Sequence, residues 1–256
     1  MSKIITNINS KLILPLLLLI SIIAPAQAND LEKGIYELNR GEFNAAIEQF
    51  RPLLSEGYAP AQYQMAIMHQ RGYGVPKNGM KALELFQLAA AQNYPDAQFE
   101  LSLIYTEGKL VKKDLKKAFE LTQKAANKDL ASAQFNLAVM YANGAGVKQD
   151  DFKASRWYKV AANQNYVLAQ YNLALLYSEG KGVEKSIEMS YVWNTIASWN
   201  GYPNAETSRV LDERAMHKGA SYNKIEVSIE KATKIYQNIR EQQDLKAKMD
   251  EKQSFY

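Results

Sequence analysis

Residues 131–166 read ASAQFNLAVMYANGAGVKQDDFKASRWYKVAANQNY, and the same 36-residue pattern starts again at positions 59, 95 and 167. The blocks 59–94, 95–130, 131–166 and 167–202 align without insertion or deletion. Their third position is Ala61, Ala97, Ala133 and Ala169, and their fourth is Gln62, Gln98, Gln134 and Gln170. The fifth is aromatic throughout, as Tyr63, Phe99, Phe135 and Tyr171, and the eleventh is His69, Tyr105, Tyr141 and Tyr177. A period of this length marks a stacked array of supersecondary units.

Each block codes a helical hairpin. Apolar residues at positions 3, 7, 10 and 11 have helical spacing and define the first helix. Gly72, Gly108, Gly144 and Gly180 close it, because glycine enters the left-handed conformation without strain. A second glycine follows at Gly74, Gly146 and Gly182, then Val75, Val111, Val147 and Val183, which the spacing places as plugs for the hairpin end. The second helix begins after Asn78, Asp114, Asp150 or Ser186, each able to accept a free N–H of the first turn. Asn93, Asp129, Asn165 and Gly201 end it.

Alanines at Ala61, Ala97, Ala133 and Ala169, and at Ala89, Ala125, Ala161 and Ala197, let helix axes approach closely. Trp157, Trp193, Leu85 and Leu121 fill the space between hairpins. One hairpin cannot bury both its faces, so neighbours stack. The expected fold is all-α, a right-handed α-solenoid of tandem helix-turn-helix repeats.

The pattern resembles the Sel-one-like repeat of the tetratricopeptide-like superfamily. The third block carries it most fully: Ala131 to Ala138, Tyr141, Gly144-Ala145-Gly146-Val147, Lys153-Ala154, Trp157-Tyr158 and Ala161-Ala162. Leu110 in place of the second loop glycine, His69 in the tyrosine column and Met189-Ser190 in place of Lys-Ala depart from it. Gly34, Tyr36, Gly41, Phe43, Ala46 and Phe50 resemble a plain tetratricopeptide hairpin turning at residues 39–41. The resemblance implies a protein-binding scaffold serving cell-envelope biogenesis, exopolysaccharide export or host interaction.

Outside the repeats, Lys3 and Lys11, the apolar run Leu12 to Ala24 and Ala26-Gln27-Ala28 read as a cleavable export signal. The run is shorter than the roughly 20 residues a bilayer span needs. Export leaves a mature chain from Asn29, periplasmic or secreted, with no stable membrane span. The expected organisation is a signal over 1–28, a capping hairpin over 29–58, the four repeats, capping helices over 203–241 and a charged tail over 242–256. The tail is expected as a frayed helix or a disordered segment, since few apolar residues follow Gln242.

Chemistry is sparse. With no cysteine there are no disulfides or thiolate sites, and the net charge of +4 comes from interspersed lysines and glutamates, which excludes a nucleic-acid footprint. The histidines are His69 and His217, and the first, in a core tyrosine column, reads as structural rather than catalytic. The Gly-x-Gly loops follow helices, not strands, and so lack the setting of a dinucleotide site. No catalytic residue, cofactor or metal is expected. Ser-x-x-Lys occurs at Ser178–Lys181, Ser221–Lys224 and Ser228–Lys231 without its companion Lys-Thr-Gly, which leaves a cell-wall-active, penicillin-binding or β-lactamase-like enzyme as the alternative.

The expected partner is another protein, bound where first helices line the concave side. Tyr63, Gln64 and Ile67 should project there, with Phe99, Glu100 and Leu103, Phe135, Asn136 and Val139, and Tyr171, Asn172 and Leu175. The aromatic and aliphatic members of this stripe equally suit packing between adjacent helices. The tyrosines also admit a polysaccharide or peptidoglycan ligand.

Overall fold

The computed structural model describes residues 27–219 and 223–253. The expected signal, 1–28, lies outside them except for residues 27 and 28, which begin the first helix.

Local signals set the hairpins. Gly72, Gly108, Gly144 and Gly180 take φ of 79°, 74°, 67° and 76°. The N–H of Asn78, Asp114, Asp150 and Ser186 then donates back to the carbonyls of His69, Tyr105, Tyr141 and Tyr177 at 2.8–3.0 Å, which closes each loop. The same four side chains accept the N–H of Lys81, Lys117, Lys153 and Met189, at 3.0, 2.9, 2.9 and 3.1 Å. Each residue thus ends the loop through its backbone and starts the helix through its side chain. At the far end Asn93, Asp129 and Asn165 sit at φ 61–64°, the left-handed turn that asparagine and aspartate tolerate.

The result is an all-α solenoid. A helix over 27–39 (α1) and α2 (Phe43–Ser55) form the opening hairpin. The repeats follow as α3 (Ala59–Arg71) with α4 (Gly79–Ala91), α5 (Pro95–Glu107) with α6 (Leu115–Ala126), α7 (Ala131–Asn143) with α8 (Asp151–Asn163), and α9 (Val167–Glu179) with α10 (Ile187–Trp199). Then come α11 (Pro203–Gly219) and α12 (Asn223–Gln253). Each helix packs on the next in sequence. The alanine columns are buried, as are Met68, Ile104, Met140 and Leu176 at position 10. Val75, Val111, Val147 and Val183 pack partly buried against the core.

The buried glutamines join successive hairpins. Gln98, Gln134 and Gln170 Nε2 donate to the carbonyls of Ala90, Ala126 and Ala162 in the preceding block, at 3.4, 3.2 and 3.2 Å. The Oε1 atoms of Gln134 and Gln170 face position 34 of their own block. Gln164 Nε2 donates to Gln134 at 2.6 Å and Asn200 Nδ2 to Gln170 at 3.0 Å, as Gln92 does to Gln62 at 2.9 Å.

Beyond the repeats α11 packs on α10 as the next first helix would, but α12 makes few contacts with it. Instead α12 returns along the groove between α10 and α8, on the second-helix face. There Ala232 and Ile239 are buried, Tyr236 meets Trp199 edge-on at 5.5 Å, and Asn165 Nδ2 donates to Gln243 at 3.4 Å. The segment after Gln242 is helical to Gln253, so the disordered option for it does not hold over those residues. Its composition of Gln, Lys, Ala and Glu without Gly or Pro extends a helix already nucleated by docking. Among the described residues no helix is long and apolar enough to cross a membrane.

Candidate functional site

Position 5 of each first helix faces neither a fully buried core nor open water. Tyr63, Phe99, Phe135 and Tyr171 are all half-buried, and so are Ile67, Leu103 and Val139, while Leu175 is exposed. Three of the rings lean on the ring that ends their own block, 31 positions later. Tyr63 meets Tyr94 at 5.4 Å between centroids, Phe135 meets Tyr166 at 5.0 Å, and Tyr171 meets Tyr202 at 4.8 Å. Tyr63 and Phe135 also touch second-helix rings, Phe86 at 5.9 Å and Tyr158 at 5.7 Å. The stripe is therefore both packing and surface. The sequence reading missed its second row, Tyr94, Tyr166 and Tyr202, because a contact 31 residues apart leaves no mark in helical periodicity.

Burial, reinforced by Asp96 and Glu100, pushes the Tyr63 phenol above its ordinary value, and the same burial raises Tyr94 to about 12. The polar members at position 6 are half-buried beside the rings. Asn136 and Asn172 Nδ2 donate to the carbonyls of Ser132 and Leu168 in their own helices, at 2.9 and 2.8 Å. Glu100 is raised by burial, and Arg71 and Gln70 partly offset this.

Two clefts open at the ends of this face. At the first, the α1–α2 turn meets α3 and α5 around about 550 Å³, which brings together Tyr63, Gln64, Ile67, Arg71, Tyr73 and Glu100. Phe43 stacks on Tyr73 at 5.0 Å with 6° between planes, and the Arg71 guanidinium lies over the Tyr73 ring at 5.8 Å. At the second, Tyr171 and Leu175 of α9 face Leu211 and Asp212 of α11 across Ser190 and Asn194 of α10. Phe99, Leu103, Phe135, Asn136, Val139 and Asn172 line neither cleft and occupy the stretch between.

Of the Ser-x-x-Lys segments, only the first has both side chains engaged in contacts among the described residues. Ser178 Oγ donates to the Leu175 carbonyl of its own helix at 2.8 Å, and Lys181 pairs with Glu179 at 2.7 Å. Lys224 pairs with Glu188 at 3.2 Å, and Ser221 lies outside the described residues. Ser228 and Lys231 border an open groove between α10 and α12. His69 sits half-buried in its tyrosine column with Nδ1 unpartnered, and among the described residues no titratable side chain bonds to it. Among the described residues no group of three metal-ligating side chains comes together.

Comparison with known proteins follows the same frame. A family model described as the Sel1 repeat matches residues 59–94, 95–130, 131–166 and 167–197, more than half of the chain and in the register of the hairpins. No curated protein is significantly similar in sequence. Among solved structures, a protective antigen present in uropathogenic Escherichia coli strains, displaying an SLR fold, is 29% identical with a TM-score of 0.68. That alignment covers 84% of this chain and 45% of the antigen, so this chain spans under half of the antigen's length. A Sel1 repeat protein from Oxalobacter formigenes is 24% identical with a TM-score of 0.68, covering 82% of this chain and 84% of that one. A sel1 repeat protein from Klebsiella pneumoniae, at 19% identity and a TM-score of 0.50 over 74% of this chain and 94% of that one, shares the fold. Four consecutive matches in one register, on hairpins whose caps and turns obey that register, mean that the chain belongs to the Sel1 repeat family.

Proposed function

We propose that this protein is a non-enzymatic scaffold that binds another protein along its first-helix face, after export to the periplasm or beyond, in cell-envelope or host-interaction processes. One observation carries the choice of face. The closing helix α12 docks on the second-helix side, against α10 and beside Asn163 and Asn165 at the end of α8, while a cleft lies open at each end of the row of rings. Solenoids built from such hairpins present extended surfaces suited to a chain laid across several repeats. Half-buried aromatic rings beside polar side chains are the anchors that concentrate interface energy. The export reading rests on the basic start, apolar run and Ala26-Gln27-Ala28 of the sequence.

The test blocks each face in turn. Gln64→Arg with Asn136→Arg places bulk on the first-helix face without removing a ring. Met80→Arg with Phe152→Arg does so on the second-helix face, where both residues are about 61% exposed. Partners are captured by crosslinking in the native cell, and the recovered scaffold is sequenced from its N-terminus. The first pair should cut capture by about tenfold or more and the second should not, with helicity unchanged in both. Loss confined to the second pair rejects the face. A chain beginning at Met1 rejects export by cleavage.

A further inference from the structure

The cleft at the C-terminal end of the first-helix face holds a buried acid with no cationic side chain in its lining among the described residues. Asp212 is 8% exposed and Asn194 3%. Ser190 Oγ donates to Asp212 at 2.7 Å and Asn194 Nδ2 at 2.8 Å, and both bonds end on the same oxygen, Oδ2. Among the described residues Oδ1 accepts none. Asn194 Oδ1 is buried and has no partner either. Asn194 and Asp212 line one cleft, and that lining contains no lysine, arginine or histidine. One turn earlier on α11, Arg209 is already committed to Glu206 at 2.7 Å, Glu213 at 3.1 Å and the Tyr191 hydroxyl at 3.2 Å.

A buried acceptor left without a donor, as Asn194 Oδ1 is, is costly, and a largely buried carboxylate without a counter-charge is costlier. Native proteins carry few such groups, and each calls for a specific reason. The rim supplies a second observation. Leu175 and Leu211 stand 44% and 58% exposed on either side, and the Tyr171 ring, braced by Tyr202, lines the same cleft. An apolar rim over a buried carboxylate matches a side chain with a methylene stem and a charged end. At about 220 Å³ the cleft lies below the roughly 300–1,000 Å³ typical of small-molecule sites.

We propose that this cleft receives the cationic end of an arginine or lysine side chain from an extended segment of the partner protein, an N–H group donating to Asp212 Oδ1. The assignment rests on the protein-binding reading of the first-helix face and names one feature of the partner. Leu175 and Leu211 cover the stem, and Tyr171 offers its ring to the cation.

The experiment uses the mature chain and three blocked pentapeptides, Gly-Gly-Xaa-Gly-Gly, with arginine, lysine or uncharged citrulline at the centre. The readout is the Asn194 side-chain amide resonance in NMR titrations. The arginine or the lysine peptide should saturate its shift at a concentration about tenfold lower than citrulline, and the stronger of the two identifies the source of the charge. Asp212→Asn should remove that preference. Ser208→Lys, which puts a resident cation at the cleft without altering the buried acid, should do the same if Asp212→Asn folds poorly. Equal binding of citrulline, no shift with any peptide, or a preference that survives both substitutions overturns the proposal. If the Gln64→Arg and Asn136→Arg pair still abolishes crosslinking in that case, the first-helix face stands and only this pocket assignment falls.

Discussion

Gln98 lacks a hydrogen bond that its counterparts make. In the other three repeats an amide at position 34, Gln92, Gln164 or Asn200, donates to the buried glutamine oxygen. The second repeat has exposed Lys128 there, and Gln98 Oε1 is buried without a partner. The Gln98 bonds that remain are long, 3.4 Å to both the Ala90 carbonyl and Asn93. Lys128→Gln supplies the missing donor. A satisfied bond of this kind is worth about 1 kcal/mol, and the charge lost near the end of α6 offsets a few tenths of it. Thermal unfolding should show the variant stabilised by about 1 kcal/mol, or roughly 2–4 °C in Tm. A melt that does not rise would mean that water already serves Gln98.

At the scale of elements, each inter-helix loop rests on the start of the preceding second helix. A Cβ on Gly146 would lie 2.0 Å from the Leu115 carbonyl oxygen, and one on Gly182 would lie 1.9 Å from that of Asp151. These glycines are needed for close approach as well as for φ. The loop after α5 breaks the rule with Leu110, and its neighbour has changed in step. The helix start it meets is Gly79, where an added Cβ would come within 3.0 Å of Leu110 Cδ2. Large and small have been exchanged across one joint. Gly79→Leu alone should therefore crowd Leu110, and Leu110→Gly alone should lose apolar contact and loop rigidity. The double variant restores the arrangement of the other joints. Denaturant unfolding of the four proteins should give a favourable coupling of about 1 kcal/mol. A coupling near zero would show that Leu110 turns into solvent and that the two positions are independent.

The molecule as a whole keeps charged groups at an electrostatic disadvantage along one face. Burial raises Asp96, Glu100 and Asp212 above ordinary carboxyl values, whereas the exposed Glu206 is lowered to about 2, first by its bond from Arg209. For Asp212 the sign is fixed by where the proton sits. The folded chain holds it more tightly than the unfolded chain, whose carboxyl titrates near 3.8. Its ionisation therefore destabilises the fold above the folded value, and the penalty is relieved as pH falls through that value. Asp212→Asn keeps an acceptor for Ser190 and Asn194 but removes the charge. The variant should be the more stable protein at pH 7, and its advantage should shrink as pH falls towards 4, as read by Tm at each pH. An advantage that grows on acidification would mean that the carboxyl is depressed instead. An acid retained against stability fits a site kept for binding.

The repeat, its hairpins and nearly every cap could be read from the sequence because they are local. A left-handed glycine, an N-cap three residues from its donor and an alanine at helical spacing act within one turn, and four copies make them visible. The twelve stripe residues were placed on a face for the same reason, and His69 fitted the tyrosine column because the column is periodic. Everything that depended on residues far apart had to wait for the fold. Tyr94, Tyr166 and Tyr202 join the stripe across 31 positions. Asp212, Ser190 and Asn194 meet only because α11 occupies the place of a fifth first helix. Gln242 to Gln253 has no apolar stripe to announce a helix and becomes one because α12 is anchored by Ala232 and Ile239. Periodicity in a sequence reports short-range backbone and capping energies. Which side of the solenoid a closing helix covers, and which buried acid is left facing a cleft, are decided by long-range packing, where area removed from water outweighs any local preference.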